Sequence, residues 1–166
     1  MISTRARSLA PSETMKISGM AKEMQQAGKS VISLSQGEPD FKTPAHICAA
    51  GKQAIDTGQH GYTMNPGSRS LRDAITEKLK RENELEFDAS QIVVSNGAKQ
   101  SVGFSLLALV DPGDEVIIPA PYWVSYPAMT QLAGGVSVVV RTSFESGYKL
   151  TPAQLEAHIT DKTKVL

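Results

Sequence analysis

The sequence predicts an α/β domain in which helices flank a mostly parallel β-sheet. From Ile92 onward, short β-branched runs alternate with helical segments, an order that is typical of βαβ units. These runs lack the polar alternation of a half-exposed strand, which indicates strands that are buried on both faces. Before Ile92 the spacing of apolar residues is mainly helical. We therefore expect a helical N-terminal segment followed by a parallel sheet, with a boundary near Thr43.

Helices are predicted from apolar spacing and from terminal signals. Residues 17, 20, 21 and 24 follow the i, i+3, i+4, i+7 rule, and Leu71, Ile75 and Leu79 recur every four residues. Thr43 before Pro44 is typical of an N-cap followed by proline at the first helical position. Thr151 opens a capping box. The predicted helices are 15–27, 44–57, 71–83, 98–110, 122–133 and a short helix after residue 151.

Strands are predicted where β-branched residues lie between turn signals. The predicted strands are 31–34, 92–94, 115–119, 136–141 and the first residues of another at 164–166. A buried strand that stops after three residues leaves the sheet without its next partner, so we expect the chain to be a fragment of a longer protein.

Composition excludes several classes of protein. The 166 residues carry 17 Lys plus Arg and 17 Asp plus Glu, so nothing predicts binding to nucleic acid or to an anionic membrane. Cys48 is the only cysteine, which excludes an internal disulfide framework and indicates a reducing cytoplasm. No apolar run has the ~20 residues of a membrane helix, and no signal peptide is recognisable. His46, His60 and His158 show no metal-ligand spacing, so no metal site is expected.

The segment SNGAKQ at 95–100 is a candidate anion site. A predicted strand ends there, passes through Gly97 and enters a helix, whose first N–H groups and positive dipole end favour a phosphate. An ordinary strand-to-helix turn that contains a glycine is an equally good interpretation of the six residues alone. The segment matches neither GxGxxG nor a Walker A loop, so a nucleotide-binding module lacks its fingerprint.

Aromatic residues gather in PYWVSYP at 121–127, just after the predicted strand 115–119. Residues past the carboxyl ends of parallel strands line the ligand crevice of such sheets. Trp123 could therefore stack on a flat cofactor ring, although an indole at a helix start is more often core filling. The turn QGEPDF at 36–41 and the loop residue Tyr62 are also ambiguous when taken alone.

Five motifs have a distinctive order and spacing when taken together. They are GEPDF at 37–41, Tyr62 ahead of Leu71-Arg72, NGAKQ at 96–100, DPGDEV at 111–116 and PYWVSYP at 121–127. The series resembles the class I aminotransferases, which are pyridoxal-phosphate enzymes, and is most similar to the bacterial aspartate aminotransferase branch. The resemblance implies the aspartate aminotransferase-like fold, with 1–43 as N-terminal arm and small-domain segment and 44–166 as the first part of the large domain.

The resemblance also implies roles for individual residues. Gly97, Ala98 and Lys99 would hold the phosphate of pyridoxal 5'-phosphate, and Trp123 would stack on its ring. Tyr62 would reach the phosphate in the partner subunit's site. Gly37 would contact the α-carboxylate of the substrate. Its distal carboxylate would lie near Lys99, Ser12 and Thr14.

The resemblance places the Schiff-base lysine, and with it the catalytic machinery, in a later part of such proteins. Lys99 lies in the phosphate turn and is no candidate for that lysine. We expect a cytoplasmic homodimer that transaminates an amino acid, aspartate first, with a 2-oxo acid such as 2-oxoglutarate, while this fragment alone is inactive. The alternatives are a pyridoxal-phosphate lyase or synthase of the same fold, and a non-catalytic truncated product.

Overall fold

A computed structural model of the chain describes residues 1–37 and 39–166. Glu38, part of the turn expected at 37–40, lies outside the described residues. The described part contains seven α-helices and three β-strands. In chain order these are α1 (Thr4–Arg7), α2 (Glu13–Gln26), α3 (Ala45–Asp56), α4 (Arg69–Asn83), α5 (Ala98–Leu109), β1 (Glu115–Ala120), α6 (Ser125–Ala133), β2 (Val136–Arg141), α7 (Pro152–Glu156) and β3 (Thr163–Val165).

The three strands form one parallel sheet in the order β2–β1–β3. β1 and β2 pair from Glu115 opposite Val136 to Ala120 opposite Arg141. β3 pairs with the start of β1, where the register shifts between Glu115 and Val116. Helix α6 connects β1 to β2, as parallel neighbours require. The predicted α/β class with a partial parallel sheet and flanking helices is confirmed.

The hydrophobic core forms where α5 and α6 pack on one face of β1. Leu106 in α5 and Val110 just after it cluster with Val116 and Ile118 of β1 and with Met129 of α6, and all five are buried. Because Val116 and Ile118 are two residues apart, they point to the same side of the sheet. The core therefore holds the end of α5 against the middle of β1.

The opposite face of the sheet is also buried at its centre. Ile117, which alternates with Val116 and Ile118, is only 2% exposed, and Val140 of β2 is 2% exposed as well. Burial on both faces accounts for the absence of polar alternation in β1, whereas Val136 and Val139 of β2 are exposed.

Glycines bring α6 and β2 close to the end of α5. Gly134 ends α6 with a left-handed φ of 90°, and the Gly135 N–H donates to the Thr130 carbonyl at 3.0 Å. A Cβ placed on Gly135 would lie 2.7 Å from Cγ1 of Val110, closer than real Cβ contacts allow. The expected helix stop is confirmed, and Gly135 is required there by the close approach.

Several helix starts carry the side-chain caps that stabilise exposed amides. Ser12 accepts the Met15 N–H at the start of α2, and Ser68 accepts the Leu71 N–H at the start of α4, each at 3.4 Å. At α7 the predicted capping box is confirmed, because Thr151 and the side chain of Gln154 satisfy each other's backbone N–H.

Two predicted strands are wrong. Residues 31–34 and 92–94 are not strands in the described structure, although both runs are rich in β-branched or apolar residues. A strand forms only where a neighbouring strand accepts and donates backbone hydrogen bonds. In 92–94 the Val94 N–H donates to the Pro66 carbonyl at 2.9 Å, which joins the segment to a turn instead of a sheet.

Two predicted helix starts also need correction. Helix α3 begins at Ala45 with Pro44 as its N-cap residue and without a side-chain cap, so Thr43 does not cap it. Pro44 has a ψ of 140°, which is extended, so the helical turn starts one residue later than expected. Helix α6 begins at Ser125 instead of Tyr122, which leaves Tyr122 and Trp123 in the connection after β1.

The described residues divide into two compact units. One contains Met1–Ser35 and Asn96–Leu166, and the other contains Gln36–Ser95. The first unit holds the sheet, and the second holds α3, α4 and a 3₁₀ helix at Ala89–Gln91. The division of the complete protein near Thr43 stays a prediction. Among the described residues, no helix combines the length and the apolar character needed to span a bilayer.

Candidate functional site

The start of α5 presents backbone N–H groups that have no acceptor. Gly97 is the N-cap residue, with φ 86° and ψ 162°, and it provides no side-chain cap. Its carbonyl accepts the N–H groups of Gln100 and Ser101 at 3.1 and 3.3 Å. Within residues 1–37 and 39–166, the amides of Gly97, Ala98 and Lys99 donate to nothing. Unpaired donors at a helix start form a seat for an anion.

The charges around this corner have the sign that an anion requires. The first turn of α5 contains no acidic residue, and Lys99 adds a cation to the positive end of the helix dipole. Just before the corner, the Asn96 N–H donates to the side-chain oxygen of Gln100 at 2.6 Å. This bond fixes Asn96 to the first turn of α5 and leaves the amides of residues 97–99 without an acceptor among the described residues.

Trp123 lies in the connection between β1 and α6. The chain leaves β1 through a cis peptide bond between Ala120 and Pro121, and the indole is 42% exposed. Tyr126 packs against it edge to face, with ring centroids 5.5 Å apart at 88°, and the Tyr126 N–H donates to the Trp123 carbonyl at 3.0 Å. These contacts orient the indole while part of its surface stays free.

The structure brings Lys99 and Trp123 together. Nζ of Lys99 lies 5.0 Å from the centroid of the Trp123 ring, within the range of a cation–π contact. The open amides, a cation and an accessible indole therefore share one corner of the first unit. The sequence interpretation placed these residues at one site, and this contact is the geometric link between them.

A groove of about 560 Å³ runs along α5 and α6 from this corner. Lys99, Asn96 and Ser125 line its polar end, and Phe104 and Leu107 are among its apolar lining residues. Neither Gly97 nor Trp123 lines it. Lys99 is thus common to the groove and to the corner beside Trp123.

Ser12 lies close to the segment that follows Trp123, whereas Thr14 does not line the same space. A cavity of about 330 Å³ is bordered by Ser12 and Glu13 on one side and by Val124, Ser125 and neighbouring residues of α6 on the other. The Ser12 hydroxyl already accepts the Met15 N–H. Ser12 therefore has a structural role as a helix cap, and its contact with a substrate stays a prediction.

Gly37 and Tyr62 belong to the second unit, Gln36–Ser95. Tyr62 is fully exposed, and its side chain forms no hydrogen bond with any described residue. Its hydroxyl is free to bind a group supplied from elsewhere.

One buried charged residue was missed by the sequence analysis. The helical stripe of α4 was assigned to Leu71, Ile75 and Leu79, but Leu71 is 46% exposed and the neighbouring Arg72 is only 6% exposed. Arg72 lies three residues before Ile75 and seven before Leu79, which is also helical spacing. The helical spacing of Arg72 with Ile75 and Leu79 is the sequence signal that could have predicted its burial.

Comparison with known proteins identifies the family. Residues 29–166 match the family model described as aminotransferase class I and II. The chain therefore belongs to the class I and II aminotransferases, as the motif series indicated.

The similar proteins are named as aspartate aminotransferases. The aspartate/prephenate aminotransferase of Cereibacter sphaeroides is 53% identical over 154 residues, covering 93% of this chain and 38% of that protein. The aspartate aminotransferase of Bacillus subtilis is 44% identical over 165 residues, covering 99% of this chain and 42% of that protein. The chain thus spans about two fifths of the length of these relatives.

Solved structures match with the same coverage. The aspartate aminotransferase from Rhizobium meliloti has a TM-score of 0.92 and 43% identity, over 98% of this chain and 41% of that one. The aspartate aminotransferase from Thermus thermophilus with maleate has a TM-score of 0.95 and 39% identity, over 98% of this chain and 43% of that one. The predicted fold, part of the aspartate aminotransferase architecture, is confirmed.

The conformation of Gly97 gives a testable prediction. Replacing Gly97 by Ala forces a side chain into a left-handed φ of 86°, so the free energy of unfolding of the complete protein should fall by about 1–3 kcal/mol. Urea unfolding measures the change. Gly103→Ala, in the same helix and with no described atom within 4 Å of the added Cβ, is the matched control. Equal stabilities of the two variants would contradict the assigned strain.

Proposed function

We propose that the complete protein is a pyridoxal-phosphate-dependent aminotransferase that prefers aspartate and passes the amino group to a 2-oxo acid such as 2-oxoglutarate. Membership of the family supports the reaction class. One observation carries the proposal: the open amides of 97–99 lie at the same corner as the accessible indole of Trp123, joined by the Lys99 contact at 5.0 Å.

The residues of this corner fit the cofactor. A phosphate monoester requires several donors and a positive potential, and the amides of Gly97, Ala98 and Lys99 provide both at the start of α5. Gly97 has no Cβ to block the approach of phosphate oxygens. The exposed part of Trp123 offers an aromatic surface for the pyridine ring.

Each residue has a defined task in this proposal. The three amides hold the phosphate, Trp123 fixes the plane of the ring, and the Tyr62 hydroxyl donates to the phosphate in the partner subunit's site. When bound, pyridoxal phosphate supplies the electron sink that stabilises negative charge at the substrate Cα. The lysine that carries the cofactor is not assigned to any residue of this chain.

The substrate preference rests on Lys99. A dicarboxylic amino acid needs a cation for its distal carboxylate, and Lys99 lies against Trp123, the residue proposed to hold the ring. The Thermus thermophilus neighbour was solved with maleate, a dicarboxylate. Gly37 would contact the α-carboxylate, and Ser12 and Thr14 would lie near the distal one.

The proposal also includes the cellular location and oligomeric state of the complete protein. We place the complete protein in the cytoplasm, in keeping with the single cysteine of this sequence. We propose a homodimer because Tyr62 is assigned to a site in the partner subunit. Residues 1–166 alone are expected to be inactive, since the catalytic lysine is assigned to none of them.

Replacing Trp123 by Ala tests the cofactor assignment. Loss of the stacked indole should raise the dissociation constant of pyridoxal phosphate for the complete protein about tenfold, and Trp123→Phe should recover part of the loss. Titration of the apoenzyme, followed by the absorbance of bound cofactor, measures this constant. Phe144→Ala, which removes an exposed aromatic residue of the same unit, should leave it unchanged. An unchanged constant in W123A would remove Trp123 from the site.

Replacing Lys99 by Ala tests the substrate assignment. Loss of a cation paired with the distal carboxylate should lower kcat/KM for aspartate about 100-fold. The value for alanine, which has no distal carboxylate, should fall less than about threefold, because the proposed phosphate contact of Lys99 is through its backbone. Steady-state kinetics with both amino acids, with Lys149→Ala as an exposed control, provide the comparison. Equal losses for the two substrates would reject the role of Lys99.

A further inference from the structure

Arg72 joins two backbone segments of the second unit. It lies in α4 and is 6% exposed. Its Nε donates to the Gly67 carbonyl at 3.2 Å, and its Nη1 donates to the Ala89 carbonyl at 2.8 Å. One guanidinium thus connects the turn before α4 to the 3₁₀ helix at Ala89–Gln91.

The charged guanidinium of Arg72 donates its hydrogen bonds to neutral backbone carbonyls. Burying a guanidinium is unfavourable unless its donors are satisfied, and no carboxylate of a described residue lies at ion-pair distance from it. Asp88 is near enough for the Arg72 charge to help lower its pKa, although hydrogen bonds from Ser90 are the main cause. An apolar residue would satisfy the helix stripe at lower cost, which indicates that Arg72 has a specific task.

Arg72 binds the turn 64–67, which two backbone hydrogen bonds also stabilise. The Gly67 N–H donates to the Met64 carbonyl at 2.8 Å and closes the turn, and the Val94 N–H donates to the Pro66 carbonyl at 2.9 Å. Gly67 has a φ of 101°, and a Cβ there would lie 2.9 Å from the Cβ of Val94. The turn is therefore pressed against Val94, and Arg72 binds its last carbonyl.

Tyr62 lies two residues before this turn. Its side chain has no partner among the described residues, so its direction depends on the backbone that carries it. Between Tyr62 and the turn only Thr63 intervenes, and its hydroxyl donates to the Met64 carbonyl at 3.2 Å. A displacement of the turn would therefore move Tyr62 as well.

We propose that Arg72 is a positioning residue that holds the turn 64–67 and so presents the Tyr62 hydroxyl to the cofactor phosphate. The proposal rests on the role given to Tyr62 under the proposed function. Arg72 itself contacts neither cofactor nor substrate, so it acts only through Tyr62.

A double-mutant cycle in the complete protein tests this coupling. Tyr62→Phe should weaken pyridoxal-phosphate affinity about tenfold, since it removes one hydrogen bond to a charged group. Arg72→Met should weaken it about fivefold when Tyr62 is present but less than about twofold in the Y62F background, because the two residues act on one contact. Arg72→Lys, which keeps one donor, should lie between wild type and R72M. Arg69→Met, an exposed arginine of the same helix, should change neither background.

Hydrogen exchange supplies a second measurement that does not depend on the role of Tyr62. The amides of Gly67 and Val94, which donate into the turn, should exchange at least about tenfold faster in R72M and by a smaller factor in R72K, while R69M leaves them unchanged. Unchanged exchange in R72M would overturn the anchoring. Equal losses of affinity with and without Y62F would make Arg72 a general stabiliser and would also overturn the proposal. Unchanged affinity in Y62F would refute the proposed role of Tyr62, and with it the effect of Arg72 on the cofactor, while the exchange rates still decide the anchoring.

Discussion

The proposed site depends on three backbone amides at the start of α5 that have no acceptor among the described residues. Unpaired backbone donors are unfavourable unless water or a ligand satisfies them. Helices α2, α4 and α7 begin with a Ser or Thr side-chain cap, whereas α3 and α6, like α5, have none. Gly97 provides no such cap, and it begins the helix with a left-handed φ of 86°. These open donors support the phosphate position in the proposed function.

The hydrophobic core of the first unit fixes the positions of α5 and β1, the elements that lead to the start of α5 and to Trp123. The end of α5 is buried with β1 and α6 through Leu106, Val110 and Met129, so the helix direction is fixed from its far end. The same strand, β1, leads directly to Trp123. Two features that are 24 residues apart in the sequence are thus placed together by rigid packed elements, which is the arrangement a cofactor site requires.

Prediction from sequence worked where the determining interactions are local. The bounds of α5, β1 and β2 follow to within one residue from apolar or β-branched runs between turn residues, and the capping box at Thr151 follows from its neighbouring side chains. The predicted strands at 31–34 and 92–94 were wrong because a strand depends on distant partners. The burial of Arg72 was missed because its carbonyl partners, Gly67 and Ala89, lie outside the helix pattern. The motif series supplied the candidate site residues, whose roles stay predictions, but the Lys99–Trp123 contact required the three-dimensional structure.

A crystal structure of the complete protein with pyridoxal phosphate bound would show whether the start of α5 holds the phosphate. The decisive distances join the phosphate oxygens to the amide nitrogens of Ala98 and Lys99. We expect hydrogen bonds of about 2.7–3.2 Å there, with the pyridine ring stacked on the indole of Trp123. A phosphate bound elsewhere, with these amides facing only water, would contradict it.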